Sequence, residues 1–109
     1  MKVSELLLSK ELTPVHLPDP DKEIKGAYIG DLLSWVMGRA EANNVWITIM
    51  SNVNVLAVAT LVDVACVLLC EGVTLEGEAL EIAKQKGVNV ISSSLPVYET
   101  ALIVSSGLK

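Results

Sequence analysis

The chain has little with which to perform chemistry. Its 109 residues include one histidine, two cysteines and no phenylalanine, and aromatic residues make up only 4% of the sequence. Arg39 is the single arginine, on a helix face, which leaves little to stabilise a transferring phosphoryl group. No Gly-Lys-Ser or Gly-Lys-Thr occurs either, so the phosphate-cradling loop of nucleotide hydrolases is missing. His16 stands before the Pro18-Asp19-Pro20-Asp21 turn with no Ser or Cys nucleophile close by in sequence, which argues against a catalytic pair. Cys66 and Cys70 fall in a run that reads as a strand over residues 65–70. At about 3.3 Å per residue their Cα atoms would lie about 13 Å apart, beyond the roughly 7 Å reach of a disulfide. With His16 remote, the two thiols also fall short of a tetrahedral zinc site, and read as small buried hydrophobes in a reducing cytosol.

Positive charge is scarce too. The net charge is −5, and the eight basic residues are scattered, which excludes the electrostatic footprint of a nucleic-acid or anionic-membrane surface. The first ten residues lack a long apolar run and a small-residue cleavage site, so a cytoplasmic protein is expected. Residues 43–62 are uncharged over roughly a membrane-spanning length. Asn43, Asn44, Thr48, Ser51, Asn52, Asn54 and Thr60 interrupt them, and no transmembrane segment is expected.

What the chain does have is aliphatic residues. Hydrophobic residues make up 51% of it, and with so few rings the core must be built from Val, Leu, Ile and Ala. Such cores suit parallel sheets, whose central strands are buried on both faces. The length suits one domain, residues 1–109.

Strand and helix signals alternate along it. A short helical start at residues 3–9 precedes a Pro-bounded edge strand at 12–17 and a strand at 26–29. Asp31 is placed to cap a helix running to about residue 42, with Leu33, Val36, Met37 and Ala40 inward, ended by Asn43 and Asn44. A β-branched strand follows at 45–50. The segment 55–62 is apolar all round, so periodicity alone fits helix or strand; the Asn-led start and the need for a crossover between parallel strands favour helix. After the 65–70 strand comes the clearest helix, with Thr74 as its cap, Glu76 and Glu78 in the first turn, Lys84 and Lys86 in the last, and Gly87 at its end. A strand at 88–91, a polar loop at 92–94 and a helix at 96–104 with Val97, Ala101 and Val104 inward complete an α/β fold: a small, mainly parallel sheet with flanking helices.

Open parallel sheets receive ligands beyond the carboxyl ends of their strands. The candidate ligand-binding residues are therefore Ser51, Asn52 and Asn54, Glu71 and Gly72, and Ser92, Ser93 and Ser94, each leading toward a helix whose N-terminal amides suit an anion. Ser, Asn and Gly are equally what ordinary caps and turns require. Gly26 to Gly30 lacks the third glycine of a dinucleotide fingerprint. Glu76 and Glu78 serve a helix dipole, Glu81 a solvated face, and Asp63 a turn or cap. No catalytic residue, cofactor or metal site is expected.

The segments Ile29-Gly30-Asp31-Leu32-Leu33-Ser34-Trp35-Val36-Met37, Val45-Trp46-Ile47-Thr48-Ile49 and Cys70-Glu71-Gly72 through Tyr98-Glu99-Thr100-Ala101 resemble a DRTGG domain, a family related to the N-terminal domain of HPr kinase/phosphorylase. The resemblance is strongest over residues 26–109. It implies an accessory α/β domain, found alone or attached to phosphotransacetylase, to inorganic pyrophosphatase with CBS domains, or to HPr kinase catalytic parts, and tied to regulation and self-association. Relatives carry a Gly-Asp-Arg-like stretch where this chain has Ser51-Asn52-Val53-Asn54, and Thr-Gly-Gly where it has Cys70-Glu71-Gly72, so Gly72 alone carries over. The missing basic residue weakens the case for a phosphate ligand, and an HPr serine kinase activity has no nucleotide loop to rest on. The expected function is a non-catalytic regulatory or protein-interaction module, homodimeric, acting with a metabolic or signalling enzyme; the alternative is a sensor of a nucleotide or other phosphate compound.

Overall fold

Short aliphatic runs become strands here because helices cover them on both sides. In the computed structural model, which describes residues 1–108, β2 (Gly26–Ile29), β3 (Asn44–Thr48), β4 (Cys66–Leu69) and β5 (Val90–Ser93) run parallel, and β1 (Leu12–His16) joins antiparallel to β5. The order across the sheet is β1-β5-β4-β3-β2. Every residue of β4 is buried, as is β3 from Val45 to Thr48, which is the pattern of central parallel strands.

The four parallel strands stand in the sheet in the order of the sequence. Right-handed crossovers that always step in one direction put their helices on one face. Accordingly α1 (Leu33–Arg39), α2 (Val53–Val62) and α3 (Gly77–Lys86) share a core with Trp46, Val67, Leu69 and Val90. The opposite face, with Val45, Ile47, Cys66, Leu68 and Ile91, is covered by α4 (Val97–Leu108) through Val104 and by a 3-10 helix (Val3–Leu8) through Val3 and Leu6. The architecture is thus the α/β arrangement expected from the alternation.

Side chains fix the joints. Asn52 caps α2 by accepting from Asn54 N at 2.9 Å, and Asp63 ends that helix in the left-handed conformation at φ 63°. Gly87, at φ 67°, ends α3 as its position in the sequence predicts. At the same end of the sheet as Asp63 and Gly87, Asn89 is only 3% exposed and engages both ends of its amide. Its Oδ1 accepts from Asp19 N at 2.9 Å, while Nδ2 donates to Asp19 O at 2.7 Å and Ala65 O at 3.0 Å. The turn between β1 and β2 is thereby fastened to the strand ends.

Several local expectations are corrected. Asp31 does not cap α1: the cap position is Leu32, without a side-chain bond, because the Asp31 carboxylate is taken by β3. That helix ends at Arg39, and Met37 is 47% exposed rather than inward. Thr74 does not cap α3, which begins at Gly77 behind Glu76; the segment before it is tied to β5 as Val73 O accepts from Ser92 Oγ at 2.7 Å. Ser92 and Ser93 belong to β5 rather than to a loop, because β1 pairs with them through Thr13 and Leu12. Finally, α4 continues to Leu108.

Candidate functional site

Because β2 to β5 are parallel, the loops that follow them meet at one edge, and all eight candidate residues lie there. They form two groups. Ser51, Asn52 and Asn54 surround the start of α2; Asn52 is occupied as the cap, Ser51 is half-buried and Asn54 is exposed. Glu71, Gly72, Ser92, Ser93 and Ser94 gather between β4 and α4. Glu71 N donates to Leu95 O at 2.9 Å and Gly72 N to Ser93 O at 2.8 Å, which ties the two loops together.

Backbone conformation explains the second group. Glu71 and Gly72 have φ of 60° and 73°, and Val73 N closes onto Cys70 O at 3.1 Å, so residues 70–73 form a turn with two successive left-handed residues. Such a turn favours glycine at both central positions, and Glu71 holds its place at a steric cost of about 1 kcal/mol. Ser93 is completely buried. Its Oγ lies 2.8 Å from Thr100 Oγ1 and accepts from Leu95 N at 3.1 Å, capping the entry to α4; Thr100 Oγ1 also reaches Pro96 O at 2.8 Å. Ser94 is exposed, and its N–H donates to Glu11 O at 3.1 Å.

On the β2 side of the first group lies a clamp that the sequence reading missed. Thr48, buried at the end of β3, donates to Asp31 Oδ1 at 2.6 Å, and Ile49 N donates to the same oxygen at 3.1 Å. Trp46 Nε1 adds a bond to Gly30 O at 2.8 Å. These contacts weld the loop after β2 to the end of β3. No local signal identifies Asp31 as a bridge, since an aspartate before a helix is also the usual cap residue. Thr100 was visible only as part of the Tyr98-Glu99-Thr100 segment.

The edge is acidic. Burial raises the pKa of the Cys70 thiol above its ordinary value, a hydrogen bond with Thr100 draws it back, and the charges of Glu71 and Asp31 push it up again. Burial alone drives Cys66, deeper in β4, up to about 12. Both cysteines are free thiols. Among the described residues no group of three His, Cys, Asp or Glu side chains is arranged to hold a metal ion.

No protein-family model matches the sequence, and no curated protein matches it. Among solved structures, it superposes on the CBS and DRTGG domains of the regulatory region of Clostridium perfringens pyrophosphatase, complexed with its activator diadenosine tetraphosphate. The TM-score is 0.74 at 13% identity, over 94% of this chain and 45% of that one. The fold is DRTGG-like. This chain therefore spans a little under half the length of that regulatory region. The paired left-handed residues at 71 and 72 mark two positions that suit glycine, of which this chain fills only the second with one. No helix among the described residues is long and apolar enough to cross a membrane.

Proposed function

We propose that residues 1–109 form a single regulatory module of the cytoplasm, non-catalytic in itself, that associates with a second copy and acts on a partner enzyme of metabolism or signalling. The observation that carries this reading is the apolar surface left over once both faces of the sheet are covered. Ile29, Leu32, Trp35, Ile49, Tyr98 and Leu102 are each more than 40% exposed, in a domain whose central strands are already closed off. Exposed apolar groups in that number favour a protein contact. The polar side chains of the strand-end edge support the same reading, since Asp31, Thr48, Asn52, Ser92 and Ser93 are engaged with one another or with backbone. Sedimentation equilibrium is the test: a concentration-dependent dimer is expected, and a strictly monomeric species at high concentration overturns the reading.

A second reading is favoured by one observation, that a structure of the same fold was captured with an activator, diadenosine tetraphosphate. In it, Ser51, Asn52, Asn54, Glu71, Gly72, Ser92, Ser93 and Ser94 form a ligand site at the strand ends. The carboxylates of Asp31 and Glu71 oppose a polyphosphate there, so it ranks second. Thermal shift with diadenosine tetraphosphate decides it: a saturable rise in melting temperature that Asn52→Trp abolishes supports the site, and no shift removes it.

A further inference from the structure

The two edges of the sheet are guarded unequally. β1 carries Pro14 and an irregularity in register between Pro14 and His16, both devices that discourage another strand from pairing. β2 has neither proline nor bulge, and its outward-facing residues include Ala27 and Ile29, both exposed. Gly30 N donates to Ile47 O at 3.2 Å, which fixes the phase of the parallel ladder: residues 26, 28 and 30 turn their backbone groups toward β3. The N–H and C=O groups of Ala27 and Ile29 therefore point away from the sheet.

We propose that two copies of this chain join through β2, antiparallel about a twofold axis at Tyr28, making one continuous ten-stranded sheet. The proposal rests on the self-association reading above and names the surface that performs it. Three features of the strand agree on that register. Pairing Ala27 with Ile29 of the second copy uses all the outward backbone groups of both residues, and a register centred on either residue instead leaves some unpaired. Tyr28 then faces its own copy, flanked on its side of the strand by Gly26 and Gly30. The Tyr28 ring already lies over Gly30, so close that a Cβ there would meet Cε2 at 2.9 Å. Lastly, exposed Lys25 falls opposite exposed Asp31, whose bonds to Thr48 and Ile49 both end on Oδ1.

Packing follows the same geometry. Ala27 and Ile29 share a face of the sheet with Ile47, beside an apolar groove of about 490 Å³ that Ala101, Ser105 and Leu108 of α4 also line. The pairing sets the small Ala27 against the large Ile29 of the other copy, and the joined strip runs along both grooves.

Sedimentation equilibrium on the full chain, paired with disulfide trapping, tests the surface. Residues facing across a non-hydrogen-bonded antiparallel pair sit about 4.5 Å apart at Cα, within disulfide range, so Tyr28→Cys is expected to cross-link into a dimer on mild oxidation. Tyr98→Cys, exposed on α4, is expected not to. Ile29→Lys is expected to raise the dissociation constant at least about 30-fold. Lys25→Glu, which touches no packing, should weaken the dimer in a salt-sensitive way. Far-UV circular dichroism confirms that each variant is folded. A wild-type dimer that ignores Ile29→Lys and Lys25→Glu and does not trap through Tyr28→Cys overturns the surface while leaving self-association intact; a monomeric wild type overturns both.

Discussion

Removing the Asn89 amide should cost the fold more than its single residue suggests. In Asn89→Ala, three hydrogen bonds disappear together, leaving Asp19 N, Asp19 O and Ala65 O without their partner. At about 1 kcal/mol net for each bond, the loss is about 3 kcal/mol. For a domain of this size that lowers the melting temperature by roughly 10–15 °C. Asn89→Asp carries a further signature, because it keeps the shape and replaces two donors with an acceptor. Its carboxyl would face two carbonyl oxygens in a buried site, so the folded state favours the protonated form and raises the pKa. The penalty therefore grows as pH rises above the ordinary carboxylate value of about 3.9, whereas the Asn89→Ala penalty is flat with pH. Urea denaturation followed by circular dichroism at pH 4 and pH 7 measures both. A loss below about 1 kcal/mol in Asn89→Ala, or parallel pH profiles for the two variants, would refute the staple.

Other perturbations follow from the same geometry. Gly72→Val forces a β-branched residue to φ 73° and should cost about 1–2 kcal/mol by urea melt, whereas Glu71→Gly should be neutral or slightly stabilising; a penalty for the second would contradict the strain assigned to Glu71. Ser93→Ala strips the cap at the entry to α4 and leaves Thr100 with one partner fewer, an expected loss of about 1–2 kcal/mol, and a neutral result would mean the pair is dispensable. Cys66 titrates near 9 when unfolded and at about 12 in the fold, so the unfolded state sheds its proton first and stability falls by about 1.4 kcal/mol per pH unit across that window. Comparing wild type with Cys66→Ala between pH 9 and 11 isolates this slope, and identical slopes would refute the burial effect. Lys22→Met, which breaks the 2.6 Å pair with Asp63, should change stability by less than about 1 kcal/mol, since Asp63 is largely exposed.

The strands were legible where composition alone decides. Residues 26–29 matched β2 to the residue, because the short apolar run that opens at Gly26 is closed by Gly30. The apolar segment before Asp63 required a topological argument, since the exposed face of this helix carries Ala57 and Leu61 and so shows no polar stripe. What stayed hidden depended on partners distant in sequence. Ser92 and Ser93 look like a loop until β1, some eighty residues earlier, pairs with them. Asp31 has one local role open to it and takes a non-local one with Thr48, seventeen residues on. Asn89 gave no signal at all, because its partners are a turn and a strand entry far away. The eight candidate site residues were gathered at one edge by the parallel rule, but sequence does not disclose that Ser92 and Ser93 would be spent on holding Val73 and α4.

The pairing of β1 with β5 also bears on how the chain assembles. Leu12 sits opposite Ser93, so the contact that completes the sheet joins segments some eighty residues apart. Each parallel step from β2 to β5 closes a much shorter stretch and can form in turn as the polypeptide lengthens. β1 has no strand to pair with until β5 has been made and docked. Of the five strands, the first to be synthesised is thus the last to find its place, and an arrest anywhere before β5 leaves the aliphatic segment around Leu12 waiting in solvent.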